Sequence, residues 1–231
     1  MKIWDCYPAY LTQPLLVAEH REIHGLLQIV ERGKSLAKTA DPHIANWLAH
    51  PGALATRHEQ LVEEMSLRDI EHKSPVAVQA GAVLWPKVSG DIGIGIQFEQ
   101  LAAMGNDARL LSPKKPDDLL QQNALSIMAR DPSLYKFLQA ENQNGRLKLI
   151  ELQREVTEVI RRPVNLEFLE RVVATMWRYC EQAPEAFTFS SRSKDPMRRL
   201  KAIQFLASKY KWPELWQTTA LTDLACCQLV E

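Results

Sequence analysis

The sequence has no long apolar run and no targeting signal. Its 231 residues contain no stretch of about 18 apolar residues, so we expect no membrane-spanning segment. Asp5, Glu19 and two prolines within the first 20 residues break the pattern of a secretory signal peptide. We therefore expect the encoded N-terminus to be the mature one. The composition, 46% apolar and 24% charged, is ordinary for a globular protein.

Cysteine is scarce, and its spacing excludes the common cysteine chemistries. The four cysteines (Cys6, Cys180, Cys226 and Cys227) show neither metal-ligand spacing nor a nucleophile signature. The adjacent pair is a poor disulfide candidate, and reduced thiols in a cytosol are the simpler interpretation. The sequence also lacks a Gly-x-Ser-x-Gly motif, which removes the serine hydrolases that carry it.

The chain has no net charge, but its charges are unevenly distributed. The 28 Lys and Arg balance the 28 Asp and Glu. Residues 1–138 hold 14 basic and 16 acidic side chains, and residues 139–231 hold 14 and 12. Seven basic residues and one acid lie between Arg192 and Lys211. The charge of this run favours a polyanionic partner, although a solvated helix face would give the same pattern.

Strand-like alternation is nearly absent, and the predicted fold class is all-α. Capping signals and apolar periodicity predict helices that begin near residues 14 and 42, and further helices over 51–68, 117–130, 133–141, 146–161, 166–182, 196–210 and 213–229. A polar, turn-prone stretch at 141–145 indicates a boundary. We therefore predict a compact helical domain over 1–138 and a C-terminal helical extension over 139–231.

Residues 73–96 are predicted to be mainly loop. Within them, the glycines of 90–95 resemble a phosphate-binding loop. The Lys-Ser/Thr that completes such a loop does not follow, and no clear strand precedes it. A surface loop is the favoured interpretation.

The first predicted helix carries polar side chains in an apolar setting, the segment His20-Arg21-Glu22-Ile23-His24. The two histidines share a helix face as in zinc proteases, but Glu22 lies two residues from each and projects roughly 200° away. In the true motif the glutamate follows the first histidine directly. His50 and His58 would be further ligands, but nothing in the sequence fixes their geometry. A solvated helix face explains Arg21 and Glu22 equally simply.

A nucleophile is also available at the chain terminus. The α-amino group has a reference pKa of roughly 8, and nearby positive charge such as Lys2 and Arg21 would lower that pKa. A neutral amine is nucleophilic, and a nearby carboxylate would stabilise a developing cation or move a proton.

Three segments of the chain carry a recognisable pattern. The first is Met1-Lys2-Ile3 followed by Leu16-x-Ala18-Glu19-x-Arg21-Glu22, the second is residues 57–68, and the third is residues 132–137. Together they resemble the pyrimidine-dimer DNA glycosylases of the phage endonuclease V type, in which the second segment is similar to the second helix and the third to the C-terminal aromatic segment. The resemblance therefore spans about residues 1–138.

The resemblance implies a DNA repair glycosylase with abasic-site lyase activity, acting on pyrimidine dimers. The amine of Met1 would be the Schiff-base nucleophile and Glu22 the catalytic carboxylate. Damaged double-stranded DNA is the implied partner, no metal or organic cofactor is implied, and we expect a monomer in the cytoplasm, associated with the nucleoid. The residues expected to contact or line the DNA in this part are Lys2, His20, Arg21, His24, Tyr135 and Lys136.

Residues 139–231 have no counterpart in that family. We hypothesise that they supply DNA affinity that the mildly acidic first part lacks. The basic residues expected to do so are Arg192, Lys194, Arg198, Arg199 and Lys201. The alternative function is a non-catalytic helical DNA-binding or protein-interaction module that retains the family core.

Overall fold

The computed structural model describes residues 2–32, 41–76, 83–88, 90–105, 107–186 and 195–230. Helices dominate this part of the chain, which confirms the all-α class. They are α1 (Gln13–Glu31), α2 (Pro42–Leu48), α3 (Pro51–Leu67), α4 (Asp91–Ala103), α5 (Pro116–Met128), α6 (Pro132–Gln143), α7 (Leu149–Ile160), α8 (Leu166–Cys180), α9 (Pro196–Tyr210), α10 (Pro213–Trp216) and α11 (Ala220–Asp223). Two short strands, β1 (Val164–Asn165) and β2 (Leu229–Val230), pair in parallel. No described helix is long and apolar enough to cross a membrane.

The predicted capping signals start several helices. The side chain of Asp131 accepts a hydrogen bond from the backbone N–H of Leu134 at 2.9 Å, at the start of α6. Asn165 and Asp195 cap α8 and α9 in the same way. These bonds satisfy backbone donors that a helix leaves unpaired in its first turn.

The loop predicted over 73–96 is wrong at its C-terminal end. Helix α4 begins at Asp91, so most of the glycine pattern at 90–95 lies within the first turns of a helix. Gly95 explains why glycine is useful there, since an added Cβ would lie 3.0 Å from a side-chain carbon of Ile150 in α7. Close packing of α4 on α7 outweighs the poor helix propensity of glycine.

The single helix predicted over 213–229 is also wrong. The structure has two short helices, α10 and α11, and then β2. The break comes at Thr219, whose backbone N–H donates to the Gln122 carbonyl of α5 at 2.8 Å. Its hydroxyl lies 2.9 Å from that of Ser126. Bonds to a neighbouring helix therefore take the place of a continued helical ladder, which sequence periodicity does not reveal.

Two apolar clusters form the interior. The first joins the N-terminal residues to α1–α7 and includes Val156 and Ile160 of α7. The second joins α8–α11 and includes Leu67 and Leu125 from the first part of the chain. The clusters therefore do not follow the boundary predicted after residue 138, and the division into two domains stays a prediction.

A buried carboxylate ties these parts together. Glu64 of α3 accepts hydrogen bonds from Arg109 at 2.7 and 2.9 Å, from Arg68 at 2.8 Å and from the Thr222 hydroxyl at 3.0 Å. Burial alone would raise the pKa of the Glu64 carboxyl, but the two guanidinium groups lower it to about 2. Arg68 also donates to the carbonyl of Leu11 at 2.8 Å, which anchors the end of the N-terminal segment.

Candidate active site

The N-terminal segment, residues 2–11, lies in a fixed position against several helices. Ile3 and Trp4 are buried in the first apolar cluster. The backbone N–H of Lys2 donates to Oε2 of Glu22 on α1. The backbone N–H of Trp4 donates to Oε1 of Glu19 at 3.2 Å. Two neighbouring turns of α1 therefore contact this segment. The predicted catalytic carboxylate is therefore in contact with the second residue of the chain.

Glu19 is held by a buried ion pair. Arg57 of α3 donates to its two carboxylate oxygens at 2.9 and 3.0 Å, the two-pronged geometry that makes such pairs strong. Burial alone would lower the pKa of the Arg57 guanidinium, but the Glu19 carboxylate raises it above its ordinary value. This pair fixes α1 against α3 and presents Glu19 to the backbone of Trp4.

Contacts from other helices complete the hold on the segment. The backbone N–H of Asp5 donates to Gln97 at 2.8 Å, and the Asp5 carboxylate accepts from Gln97 at 3.1 Å and from Arg161 at 2.8 Å. Nε2 of His43 lies 2.8 Å from the Ile3 carbonyl. Because a carbonyl can only accept, that nitrogen carries the proton. Sequence reasoning did not find these residues, since their spacing in the chain carries no motif.

The surroundings of Glu22 are polar and partly open. Glu22 is half-buried, and its neighbour Arg21 is exposed. The Lys2 ammonium lies 3.6 Å from the Trp4 ring centroid and donates to Gln100 of α4. Partial burial lowers the pKa of Lys2. The Lys2 ammonium and the Glu22 carboxylate thus lie at the first described residues of the chain, while Met1 itself lies outside the described residues.

The predicted aromatic contacts lie on another element. Tyr135 is half-buried on α6, a helix that packs against α5, and Lys136 is exposed. Burial and the nearby Asp117 raise the pKa of the Tyr135 hydroxyl. An acidic neighbour does not favour a phosphate contact. The DNA contacts of Tyr135 and Lys136 stay predictions.

Several basic side chains of the C-terminal run are occupied by local partners. Lys201 donates to both carboxylate oxygens of Glu63 at 2.7 and 2.9 Å, and Arg198 lies 3.6 Å from Asp195. Arg199 lies over the Trp177 ring at 5.9 Å. Arg192 and Lys194 lie outside the described residues. The DNA-binding role of this run stays a prediction.

Four histidines meet between α1, α3 and the segment that follows α3. One ligand nitrogen from each of His20, His24, His58 and His72 lies within 4.8 Å of the others. Burial, followed by the positive charge that the other three imidazoles would carry, lowers the pKa of His20 to about 4. His20 is only 8% exposed, so it faces this cluster more than solvent. The predicted DNA contacts of His20 and His24 stay predictions, and His72 is a member that sequence reasoning missed.

The motif predicts a pair formed by Glu22 and the Met1 amine, and the structure shows Glu22 in contact with the backbone N–H of Lys2. The N-terminal part of the chain is similar to the pyrimidine dimer DNA glycosylase family. That family's model matches residues 1–78, about a third of the chain. The match covers the segment, α1 and α3, and it ends before Tyr135. No curated protein and no solved structure matches the chain.

The family match supports a function at a coarse level. The matched family consists of DNA repair glycosylases for pyrimidine dimers, which supports a DNA glycosylase at the family level. The elements that carry the match are the ones that place Glu22 at the start of the chain. The all-α fold and the family match therefore agree with the resemblance seen in the sequence, while the roles of the site residues stay predictions.

Proposed function

We propose that this protein excises pyrimidine dimers from double-stranded DNA and nicks the resulting abasic site, with Glu22 and the α-amino group of Met1 as its catalytic groups. The observation that carries the proposal is the hydrogen bond from the Lys2 backbone N–H to the Glu22 carboxylate. The Met1 amine is three covalent bonds from that Lys2 nitrogen, bonds that together span at most about 4 Å. A carboxylate bound to the second residue of the chain supports a joint role for Glu22 and the adjacent amine.

The proposed reaction begins with attack of the neutral amine on C1′ of the 5′ nucleotide of the dimer. A carbon–nitrogen bond forms to the amine, and the glycosidic bond breaks with its electron pair passing to the base. Glu22 stabilises the positive charge that develops on the sugar and takes up or returns protons. Ring opening leaves an imine between C1′ and the chain, so the enzyme and DNA are covalently joined.

Strand scission follows from the imine. It acidifies the hydrogens on C2′, and removal of one of them drives departure of the 3′ phosphate by β-elimination. In this proposal Glu22 accepts this proton. Hydrolysis of the imine then releases the nicked DNA and regenerates the amine.

The N-terminal contacts support the precision that this chemistry needs. The Glu19–Arg57 pair and the bonds to Asp5 leave residues 3–5 with little freedom. A displacement of about 1 Å at a reacting group costs roughly 100-fold in rate, so a nucleophile on a loose chain end would be inefficient. In this proposal Lys2 and Arg21 supply the positive charge that holds phosphates flanking the lesion.

The test is strand incision on a duplex with one defined thymine dimer. Untagged protein with its native N-terminus, verified by mass spectrometry, should incise this duplex. Glu22→Gln should reduce the rate by at least about 100-fold, the loss usual for a missing acid or base. Glu31→Gln is the matched control, because it makes the same change at an exposed position of the same helix. Equal rates for Glu22→Gln and Glu31→Gln would remove Glu22 from the reaction. No incision by the native protein would favour a non-catalytic binding module.

A further inference from the structure

The four-histidine cluster has a geometry that hydrogen bonding alone does not explain. Nε2 of His20 lies 3.2 Å from Nε2 of His58 and 3.3 Å from Nε2 of His24, and the last two atoms lie 3.1 Å apart. A neutral imidazole nitrogen either donates a proton or accepts one. In a triangle of three such nitrogens at most two contacts join a donor to an acceptor. At least one contact therefore opposes two like groups.

A single cation at the centre resolves this conflict. All of the nitrogens then direct lone pairs at it, and no contact needs a shared proton. Zinc binds histidine nitrogen at about 2.0–2.1 Å in tetrahedral sites, which places neighbouring ligand nitrogens about 3.3 Å apart. The three separations of 3.1–3.3 Å in the structure agree with the edge of that tetrahedron.

His72 is suited to be the fourth ligand. Its Nε2 is buried and has no hydrogen-bond partner within the described part of the chain. A buried polar atom without a partner costs free energy unless something else satisfies it. A ligand nitrogen of His72 lies within 4.8 Å of the other three, so a small adjustment of its segment closes the shell.

The surrounding contacts also match a metal site. Nδ1 of His58 lies 2.9 Å from Oε1 of Glu59. A carboxylate accepts, so the proton is on Nδ1 and the Nε2 of His58 keeps its lone pair for the cluster. Metal-bound histidines commonly donate their second ring proton to a carboxylate in this way, which orients the ring and raises its basicity.

We propose that His20, His24, His58 and His72 bind one Zn²⁺ ion as a closed structural site. Four protein ligands leave no open position for substrate, which separates structural from catalytic zinc. The ion would tie the segment after α3 to α1 and α3, the helices that hold the N-terminal segment. Glu22 projects from α1 roughly 200° away from the two histidines of that helix, so this site is distinct from the proposed catalytic one.

The first test is the metal content of untagged protein after Zn²⁺ loading and dialysis against metal-free buffer. Mass spectrometry of the metals should give one zinc per chain, and X-ray absorption should give a shell of nitrogen neighbours at about 2.0 Å. His24→Gln and His72→Gln should each retain less than a tenth of that zinc. His50→Gln is the matched control, since His50 is bonded to the Asn46 carbonyl outside the cluster, and it should keep one zinc per chain.

A second measurement covers the variants that fail to fold. Wild-type protein stripped with a chelator should regain thermal stability when Zn²⁺ alone is added, with Tm rising with zinc concentration. Glu59→Gln should weaken zinc binding by about 10- to 100-fold in competition with a coloured chelator.

Three results would overturn the proposal. They are wild-type protein that takes up less than a tenth of a zinc per chain and shows no rise in Tm, full zinc content in His24→Gln and His72→Gln, and sulfur neighbours in the absorption spectrum. None of these readouts depends on DNA incision, so failure here leaves the proposed function standing.

Discussion

Removing the Arg57 side chain should show how strongly the N-terminal segment depends on its buried ion pair. The side chains of Glu19 and Arg57 are 1% and 2% exposed, so water solvates neither charge. In Arg57→Met, Glu19 keeps the N–H of Trp4 at 3.2 Å but loses the bonds at 2.9 and 3.0 Å. Leaving one member of a buried pair without its partner costs about 3–5 kcal/mol.

The double variant Glu19→Gln/Arg57→Met separates this cost from simple loss of packing. Glutamine keeps an oxygen for the Trp4 N–H and carries no charge, so no unpaired carboxylate is buried. The double variant should therefore be more stable than Arg57→Met by about 2 kcal/mol, within the range of coupling between contacting residues. Greater stability of the double variant than of Arg57→Met requires that Glu19 is ionised in the folded protein.

The assay is equilibrium unfolding in urea, followed by circular dichroism, for the wild type and the variants. A loss below about 1 kcal/mol in Arg57→Met would mean that the pair is hydrated or unnecessary. A double variant that is less stable than Arg57→Met would contradict the charge argument. The rate of DNA incision by Arg57→Met, measured without denaturant and well below the Tm of the variant, should also fall. The reason is that Glu19 anchors the segment that carries the proposed nucleophile.

Two further predictions follow from other charged groups. The pKa of the Glu64 carboxyl is lowered to about 2, so its ionised form stabilises the folded state above pH ~4.5, and this stabilisation is lost as the pH falls toward 2. The free energy of unfolding should fall by about 3 kcal/mol over this range. A carbon-13 titration of the carboxyl should give a midpoint near 2, and a midpoint near 4.5 would refute the prediction. Replacing both Arg198 and Arg199 with glutamine should reduce the slope of log DNA affinity against log salt concentration by about 2. Arg171→Gln is the control, since Arg171 is exposed on α8, and it should leave the slope unchanged. An unchanged slope in the double variant would show that the C-terminal basic run does not bind DNA.

The sequence predicts the helices well where the signals are local. Two local signals mark the helices, the periodic spacing of apolar residues and the capping of helix starts. The capping residues are Asp131, Asn165 and Asp195. The errors occur where distant contacts decide the structure. Gly95 is helical because α4 packs closely on α7, and the chain breaks at Thr219 because α5 supplies its hydrogen-bond partners.

The same division holds for the site. The motif and its distance from the chain start predict that Glu22 lies near the first residues. Only one helix, α1, and one short segment have to be placed for this prediction. Arg57 and Gln97 reach the segment from elements far away in sequence, and no pattern marks them. His20 and His24 are recognisable as a pair on one face of α1. The position of His72 beside them depends on how the chain turns after α3.

The central claim is that the Met1 amine forms a covalent intermediate with DNA, and trapping followed by mapping tests it most directly. Untagged protein with its native N-terminus is incubated with duplex that contains an abasic site, reduced with borohydride and digested, and the cross-linked peptide is sequenced by mass spectrometry. The account predicts a link to the α-nitrogen of Met1 and no link after that amine is acetylated. A link to a lysine side chain, or a full yield of adduct from the acetylated protein, would contradict it.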